Sequence, residues 1–385
     1  MFKINPREKF ELFKQNNCFC AAPWSLLYIY PDGVVKTCVA GNEVMGNLNH
    51  DSIEDILYSP ARKQIQKHML NQLVPNNCMS CSKLENSGSG SEKYQFLRNN
   101  YNTLLQDLDV DYQDKHEFVL GALDLHWSSL CDLKCVTCWA YQSSSIAQEQ
   151  NVPINHLPSE RANLLIDWIV KNQHTLQEIY LSGGEPTMIK YNLRLLEKIK
   201  KRSDLQIRVN SNLMWDQDNA VLKEILKFPN ILFTCSADAV GQQFEYIRRD
   251  AQWSKFLENL NFLNAEKNVR IRINSVFFVL SAPSLIDTVD FFKQNFNIND
   301  FTINQCEMEQ THLRARNLPR LMKKQCAANI VDAIDRFQDD LNLVGQLKNC
   351  LVELDQPSTE SYLGYFDGID KLSGRNWPST FQGLL

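Results

Sequence analysis

The chain has 385 residues, 44% of them hydrophobic and 22% charged, with a formal net charge of −5. The length suits roughly two to three globular domains of ordinary composition. The acidic balance argues against a broad positive surface for gripping nucleic acid, and no run approaches the ~18 apolar residues of a membrane span.

The N-terminal stretch MFKINPREKFELFKQNN carries no apolar core of a signal peptide, so a cytoplasmic location is expected. Thiols stay reduced there, and twelve cysteines are then expected as metal ligands or buried thiols rather than disulfides. Residues 1–86 are cysteine-rich. Within CFCAAPWSLLYIYPDGVVKTC (18–38), LLYIY and VVKTC read as strands around a Pro31-Asp32-Gly33 turn. SIEDILYSPARKQIQKHML reads as a helix with Ser52 as its N-cap, and CMSC (78–81) follows. Cys20, Cys38, Cys78 and Cys81 thus present one thiol before a hairpin, one at its end and a pair after a helix. Four converging thiolates close a metal site completely, and zinc and a 4Fe–4S cluster both satisfy that spacing. ENSGSGSEK (85–93) reads as a linker or exposed loop, and KYQFLRNNYNTLLQDL as a helical segment leading out of it.

Strands and helices then alternate. The strand-like runs are FVLGALDLHW (118–127), EIYLSG (178–183), LQIRVNS (205–211), NILFTCSA (230–237), VRIRINSVFFVL (269–280) and DFTINQCEM (300–308). Between them RANLLIDWIVKN, YNLRLLEKIKK, NAVLKEILKF, WSKFLENLNFLNA and SLIDTVDFFKQN repeat apolar residues at helical spacing. Such units predict an α/β fold with a parallel sheet and right-handed crossovers. Six of them fit a partial (β/α)6 TIM-like barrel over 118–310. The remainder, 311–385, reads as a helical C-terminal extension whose end, DGIDKLSGRNWPSTFQGLL, is loop-like with aromatic anchors.

The loop after the first of these strands, SSLCDLKCVTCWA (128–140), brings Cys131, Cys135 and Cys138 close together. In parallel barrels the functional loops sit at the C-terminal strand ends. Structural zinc wants four ligands, whereas three thiolates suit an iron–sulfur cube with one iron left without a protein ligand; a zinc site with a distant fourth cysteine stays open as the alternative. After the second strand comes SGGEPTM (182–188). Gly183 and Gly184 let backbone approach a ligand closely, and Glu185 adds a carboxylate suited to an ammonium group; the plain alternative is a tight turn with a surface acid. His126 reads as a satisfied core histidine. Arg248 and Arg249 read as a solvated face or a salt bridge, or as a partner for an anionic ligand.

CDLKCVTC followed by GGEP resembles the radical S-adenosylmethionine (SAM) superfamily. The resemblance implies a 4Fe–4S cluster held by Cys131, Cys135 and Cys138, with SAM chelating the fourth iron and the Gly183-Gly184-Glu185 turn contacting its amino group. It implies that Ser236 and Asp238 of CSADAV contact the SAM ribose, and that Asn212 in VNSNLM and Asn274 with Ser275 lie on the same rim. Thr137 stands where the family often has an aromatic residue, and Trp139 follows instead. The cysteines of residues 18–81, with Gly33 five positions before Cys38, are similar to the auxiliary-cluster modules called SPASM and twitch, which usually follow the barrel rather than precede it.

The organisation implied is an auxiliary iron–sulfur module over 1–86, a linker and helix over 87–117, the barrel over 118–310 and the extension over 311–385. The function implied is reductive cleavage of SAM to a 5′-deoxyadenosyl radical that abstracts hydrogen from a substrate, in first place a peptide or protein side chain, with the auxiliary 4Fe–4S cluster aiding electron transfer. A one-electron reductant such as flavodoxin or ferredoxin is the expected partner, and neither membrane nor nucleic acid is expected as one. The alternatives are a radical SAM oxidoreductase acting on a small molecule or carbohydrate, and a noncatalytic zinc-binding scaffold.

Overall fold

The structure, a computed structural model, describes residues 18–41, 43–86, 118–306 and 308–381; the helical segment expected at 93–108 and most of the linker before it lie outside them. The described residues form two compact units, one within 18–130, 153–209 and 218–231, the other within 131–152, 210–217 and 232–381.

In the first unit, β1 (Leu26–Ile29) and β2 (Val34–Lys36) make the expected antiparallel hairpin. Gly33 sits at φ +82°, where an added Cβ would also lie 2.8 Å from Asn47 Oδ1. A third strand, β3 (Val44–Asn47), continues the hairpin and was not foreseen. The order is β3-β2-β1-β4-β5-β6, with β4 (Ala122–Leu125), β5 (Glu178–Leu181) and β6 (Gln206–Ser211). β1 pairs parallel with β4, β4 with β5 and β5 with β6. The cysteine-rich hairpin is therefore hydrogen-bonded directly to the first strand of the alternating region.

Register explains which face is apolar. Leu27, Leu123, Ile179 and Ile207 align across the four parallel strands, as do Ile29, Leu125, Leu181 and Val209, and all eight are at most 1% exposed. Burying each such side chain contributes about 1.5–3 kcal/mol. The helices α5 (Ser159–Asn172), α6 (Lys190–Lys198) and α7 (Ala220–Ile225) bury matching stripes, among them Leu165, Ile169, Leu195 and Leu222. Successive side chains of a strand point to opposite faces, so Tyr28, Asp124, Tyr180 and Arg208 form a polar row on the other side.

Ser52 caps α1 (Ile53–Leu57), accepting from Asp55 N at 3.1 Å. The single helix expected there is two. Ser59 caps again and Pro60, which has no N–H to donate, opens α2 (Pro60–Leu70). Arg62 and Gln66 of α2 are buried and both donate to Pro23 O at 3.0 Å, tying α2 to the entry of the hairpin. Burial lowers the Arg62 pKa to about 10. The helix α3 (Met79–Asn86) carries Cys81.

The second unit holds α4 (Ser144–Glu149), then β7 (Ile231–Ser236), β8 (Val269–Phe277) and β9 (Phe301–Gln305), adjacent in that order. The helices α8 (Gly241–Ile247), α9 (Trp253–Asn264) and α10 (Leu285–Phe296) alternate with them. All six expected strands form, and so do the helices expected between them. The extension is helical, as α11 (Arg320–Arg336), α12 (Leu341–Asp355) and α13 (Leu363–Ser373). Its last part departs from the loop expected from residue 367. α13 runs to Ser373 and is stopped by Gly374 in the left-handed region, because Phe366 and Ile369 bury a helical stripe. Beyond it Trp377 is buried, its N–H bonded to Asp370 Oδ2 at 2.7 Å and its Nε1 to Asp367 Oδ1 at 3.0 Å.

Candidate functional site

The three-cysteine loop is held by side chains on every side. Ser143 caps α4, accepting from Ile146 N, and its hydroxyl donates to Leu133 O at 2.7 Å. Ser144 and Ser145 donate to Cys131 O at 3.0 and 2.8 Å. Lys134 N bonds to Arg249 O at 3.1 Å, and Arg249 Nε returns a bond to Lys134 O at 2.8 Å. Val136 N donates to Ile247 O at 2.8 Å, Cys138 N to Cys135 O at 3.0 Å, and Tyr365 Oη to Val136 O at 2.7 Å.

Arg248 and Arg249 are 8% and 6% exposed, so they do not form a solvated face. Arg248 Nη2 pairs with Asp238 Oδ2 at 2.9 Å, and its Nη1 lies 3.8 Å from Cys135 Sγ. Burial alone would lower the Arg248 pKa, but Asp238 and then Cys135, Cys131 and Cys138 outweigh it and raise it. Burial pushes the Cys135 thiol up and Arg248 pulls it back. A thiol in that place keeps its proton until a bound cation displaces it, and the guanidinium then favours the thiolate. The donor set therefore fits an iron–sulfur cluster. Arg249 binds Glu149 through two bonds of 3.2 and 2.8 Å, which hold the Glu149 carboxyl below its usual range.

The strand-end polar residues of the same unit are already engaged. Asn212 Nδ2 donates to Asp132 Oδ1 at 2.8 Å, and its Oδ1 accepts from Met214 N at 2.8 Å. Ser236 Oγ donates to Asn210 Oδ1 at 3.3 Å. Asp238 is 1% exposed, with Oδ1 accepting from Val276 N at 2.8 Å in addition to the Arg248 pair. Asn274 Oδ1 accepts from Asn304 Nδ2 at 2.8 Å on the neighbouring strand. The expectation that Asn274 and Ser275 share a rim fails on geometry. Successive residues of β8 face opposite sides, and Ser275 is buried while Asn274 is half-buried.

In the first unit, the glycine turn is shaped by the backbone ahead of it. An added Cβ on Gly184 would lie 2.1 Å from Leu130 O, and one on Gly183, whose φ is +103°, 2.7 Å from Ser128 O. Gly184 N and Glu185 N donate to Ser128 O and Leu130 O at 3.1 and 2.7 Å. The space beside both glycines is thus taken by residues 128–130, the segment that leads into Cys131. Glu185 is 2% exposed and accepts from Thr187 N and Oγ1 at 3.2 and 2.7 Å, so it is not a surface acid.

Cys20, Cys38, Cys78 and Cys81 come together in the same unit. Burial pushes the Cys20 thiol well above its ordinary range, and Cys38, Cys78 and Cys81 each raise it further. The Cys38 thiol is pushed up to about 12 by burial and then by Cys78 and Cys81. Cys20 and Cys38 pack against Ala22, Leu26, Tyr28 and Ala122. Among the described residues no group of three or more His, Cys, Asp or Glu stands close enough together to hold a metal ion. Cys18 donates to Gln72 O at 3.1 Å. Cys235, Cys306, Cys326 and Cys350 are at most 3% exposed, whereas the eight other cysteines are half-buried.

The polar row carries a group of which the sequence singled out only His126. His126 Nε2 contacts Asp124 Oδ1 at 3.0 Å, and Ser182 Oγ donates to the same oxygen at 3.1 Å. The His126 ring packs edge-on against Tyr28, 5.2 Å between centroids, and lies 6.2 Å from Tyr30. Arg208 stacks over Tyr180 at 4.4 Å and pairs with Glu178 at 2.8 Å. Its signal was the alternation of polar and aliphatic residues in LLYIY, ALDLHW, EIYLS and QIRVN, which marks strands buried on one face and polar on the other.

No curated protein matches the chain. Among solved structures, native anSMEcpe with bound AdoMet and Cp18Cys peptide is 17% identical with a TM-score of 0.43, over 58% of this chain and 61% of that one. SuiB of Streptococcus suis bound to S-adenosylmethionine is 15% identical with a TM-score of 0.41, over 81% of this chain and 69% of that one. The chain spans about three fifths of the length of the anSMEcpe structures, between 60% and 62%. Residues 126–292 match the radical SAM superfamily and residues 18–82 match SPASM, an iron–sulfur cluster-binding domain. The chain thus carries a radical SAM domain and a SPASM domain, and these two matches support the SPASM-type radical SAM subgroup, with SAM, the 4Fe–4S cluster that binds it and an auxiliary 4Fe–4S cluster as the cofactors they imply.

Proposed function

We propose that the protein is a radical SAM enzyme that modifies a peptide or protein side chain. Cys131, Cys135 and Cys138 would hold the SAM-binding cluster, and Cys20, Cys38, Cys78 and Cys81 the auxiliary one. Bound there, cluster and SAM would supply the chemistry of hydrogen-atom abstraction from the substrate. The observation that carries this reading is the loop itself. Its three thiols lie on a backbone fixed from both sides, with a buried guanidinium 3.8 Å from Cys135 Sγ to favour thiolate. Gly183, Gly184 and Glu185 would orient the SAM amino group, and Ser236, Asp238, Asn212 and Asn274 its ribose and neighbouring rim. Since Asp238 already holds Arg248 and Val276 N, its part is to keep the guanidinium in place while its remaining lone pairs serve the ligand. The peptide class rests on the resemblance to SPASM-type enzymes, and the electron for each turnover is assigned to a flavodoxin- or ferredoxin-like donor.

The test is anaerobic reconstitution with iron and sulfide, followed by reduction with SAM present. The wild type is expected to hold near eight irons, for two cubes, and to release 5′-deoxyadenosine. Changing Cys131, Cys135 and Cys138 together to Ala should abolish that release and leave about half the iron. Release that survives the triple change would remove the loop from this role.

A further inference from the structure

The segment that reaches the three-cysteine loop from farthest away lies outside both matched domains. We propose that Tyr365, carried by α13, is a positioning residue of that loop; the proposal rests on the reading of the loop as the SAM-linked cluster site. Its hydroxyl donates to Val136 O across 229 residues of sequence. Val136 is 1% exposed, so water has little access to replace that donor. Within the turn Val136 N donates to Ile247 O and Cys138 N to Cys135 O. The phenol adds its bond to Val136 O, between two of the three thiols.

The helix that carries Tyr365 is anchored by other bonds. Tyr246 Oη donates to Asp370 Oδ1 at 2.8 Å, and Arg375 Nη1 donates to Glu245 O at 2.6 Å. Both land on α8, the helix that leads straight into Arg248 and Arg249. The Tyr365 ring packs on His312, 4.7 Å between centroids. Loss of one hydroxyl therefore leaves α13 docked and removes only its grip on the loop. Groups that fix the ligating segment of an iron–sulfur site also set its redox properties, because small displacements of the thiolates change the charge and hydrogen bonding around them.

The experiment compares the full reconstituted chain as wild type, Tyr365→Phe and Tyr246→Phe. The last breaks the α13–α8 bond and leaves the hydroxyl of Tyr365 in place. The readouts are the electron paramagnetic resonance signal of the reduced protein, the part of it that changes on adding SAM, and the midpoint potential of that SAM-responsive part. Air bleaching of the iron–sulfur absorbance is followed alongside. Tyr365→Phe is expected to unfold only a few degrees below the wild type, as the loss of one buried hydrogen bond requires, to give a displaced potential and an altered SAM-responsive signal, and to bleach several-fold faster. Tyr246→Phe is expected to leave potential and signal at wild-type values. A wild-type signal and potential in Tyr365→Phe overturns the proposal, and so does the same change in Tyr246→Phe, which would make it a matter of docking. A wild type with no SAM-responsive signal at all would instead overturn the reading of the loop, and this proposal with it.

Discussion

The two groups of cysteines differ in what surrounds them. At Cys20 and Cys38 the main influence is burial, and after it come the other thiols, each raising its neighbour. At Cys135 burial is followed by Arg248, which acts in the opposite direction. Cys20 and Cys38 therefore stay protonated until a bound metal takes the proton's place. At the three-cysteine loop a guanidinium, itself paired with Asp238, stands 3.8 Å from Cys135 Sγ and favours its thiolate. The first arrangement suits the closed cluster proposed above, the second the open one.

That contrast can be broken at either end. The largest effect is expected from Cys38→Ala. The N-terminal cluster should be lost, with iron falling to about half, while reductive SAM cleavage without added substrate continues; iron analysis beside 5′-deoxyadenosine release measures both. If cleavage stopped, the two groups would not act as separate sites.

Arg248→Gln comes next. It leaves Asp238, 1% exposed, without its cation, and removing one partner of a buried pair costs about 3–5 kcal/mol. Thermal unfolding of the metal-free protein should report that loss, and adding Asp238→Asn should recover part of it. Failure of the double variant to recover anything would mean that Arg248 acts on stability through something other than Asp238.

The smallest effect is expected from Glu149→Gln. The folded carboxyl lies below its ordinary value because of Arg249, so its contribution is fully present above about pH 5 and fades as pH falls through the folded value. Urea unfolding should therefore place the variant about 1–2 kcal/mol below wild type near neutrality, with the gap closing under acid. A gap that stayed constant down to pH 3 would point to packing instead of charge.

Much of this was legible in the sequence because its causes are local. β-Branched runs alternating with helical stripes mark the six strand–helix units, and turn chemistry marks the hairpin at Gly33. Two cysteine spacings mark the proposed metal sites. β3 was missed because VMGN is short and contains Gly46. The helix at 363–373 was missed because an aspartate- and glycine-rich segment looks like a loop until Phe366 and Ile369 find a surface to cover. The parallel pairing of β1 with β4 has no local signature, since any apolar strand satisfies it equally. The same holds for Arg248 on Cys135 and Tyr365 on Val136, which bridge 113 and 229 residues. The serines at 143–145 stood in plain view, but a serine run ahead of a helix reads as a cap, and only the fold aims two of its hydroxyls at Cys131 O.

Pairing β1 with β4 also decides how the protein fails. Each covers a row of N–H and C=O groups on the other that would otherwise be offered to a passing chain. Deleting the cysteine-rich hairpin would strip β4 of its cover and leave a sticky parallel border, so aggregation rather than a trimmed soluble core is the outcome to design against.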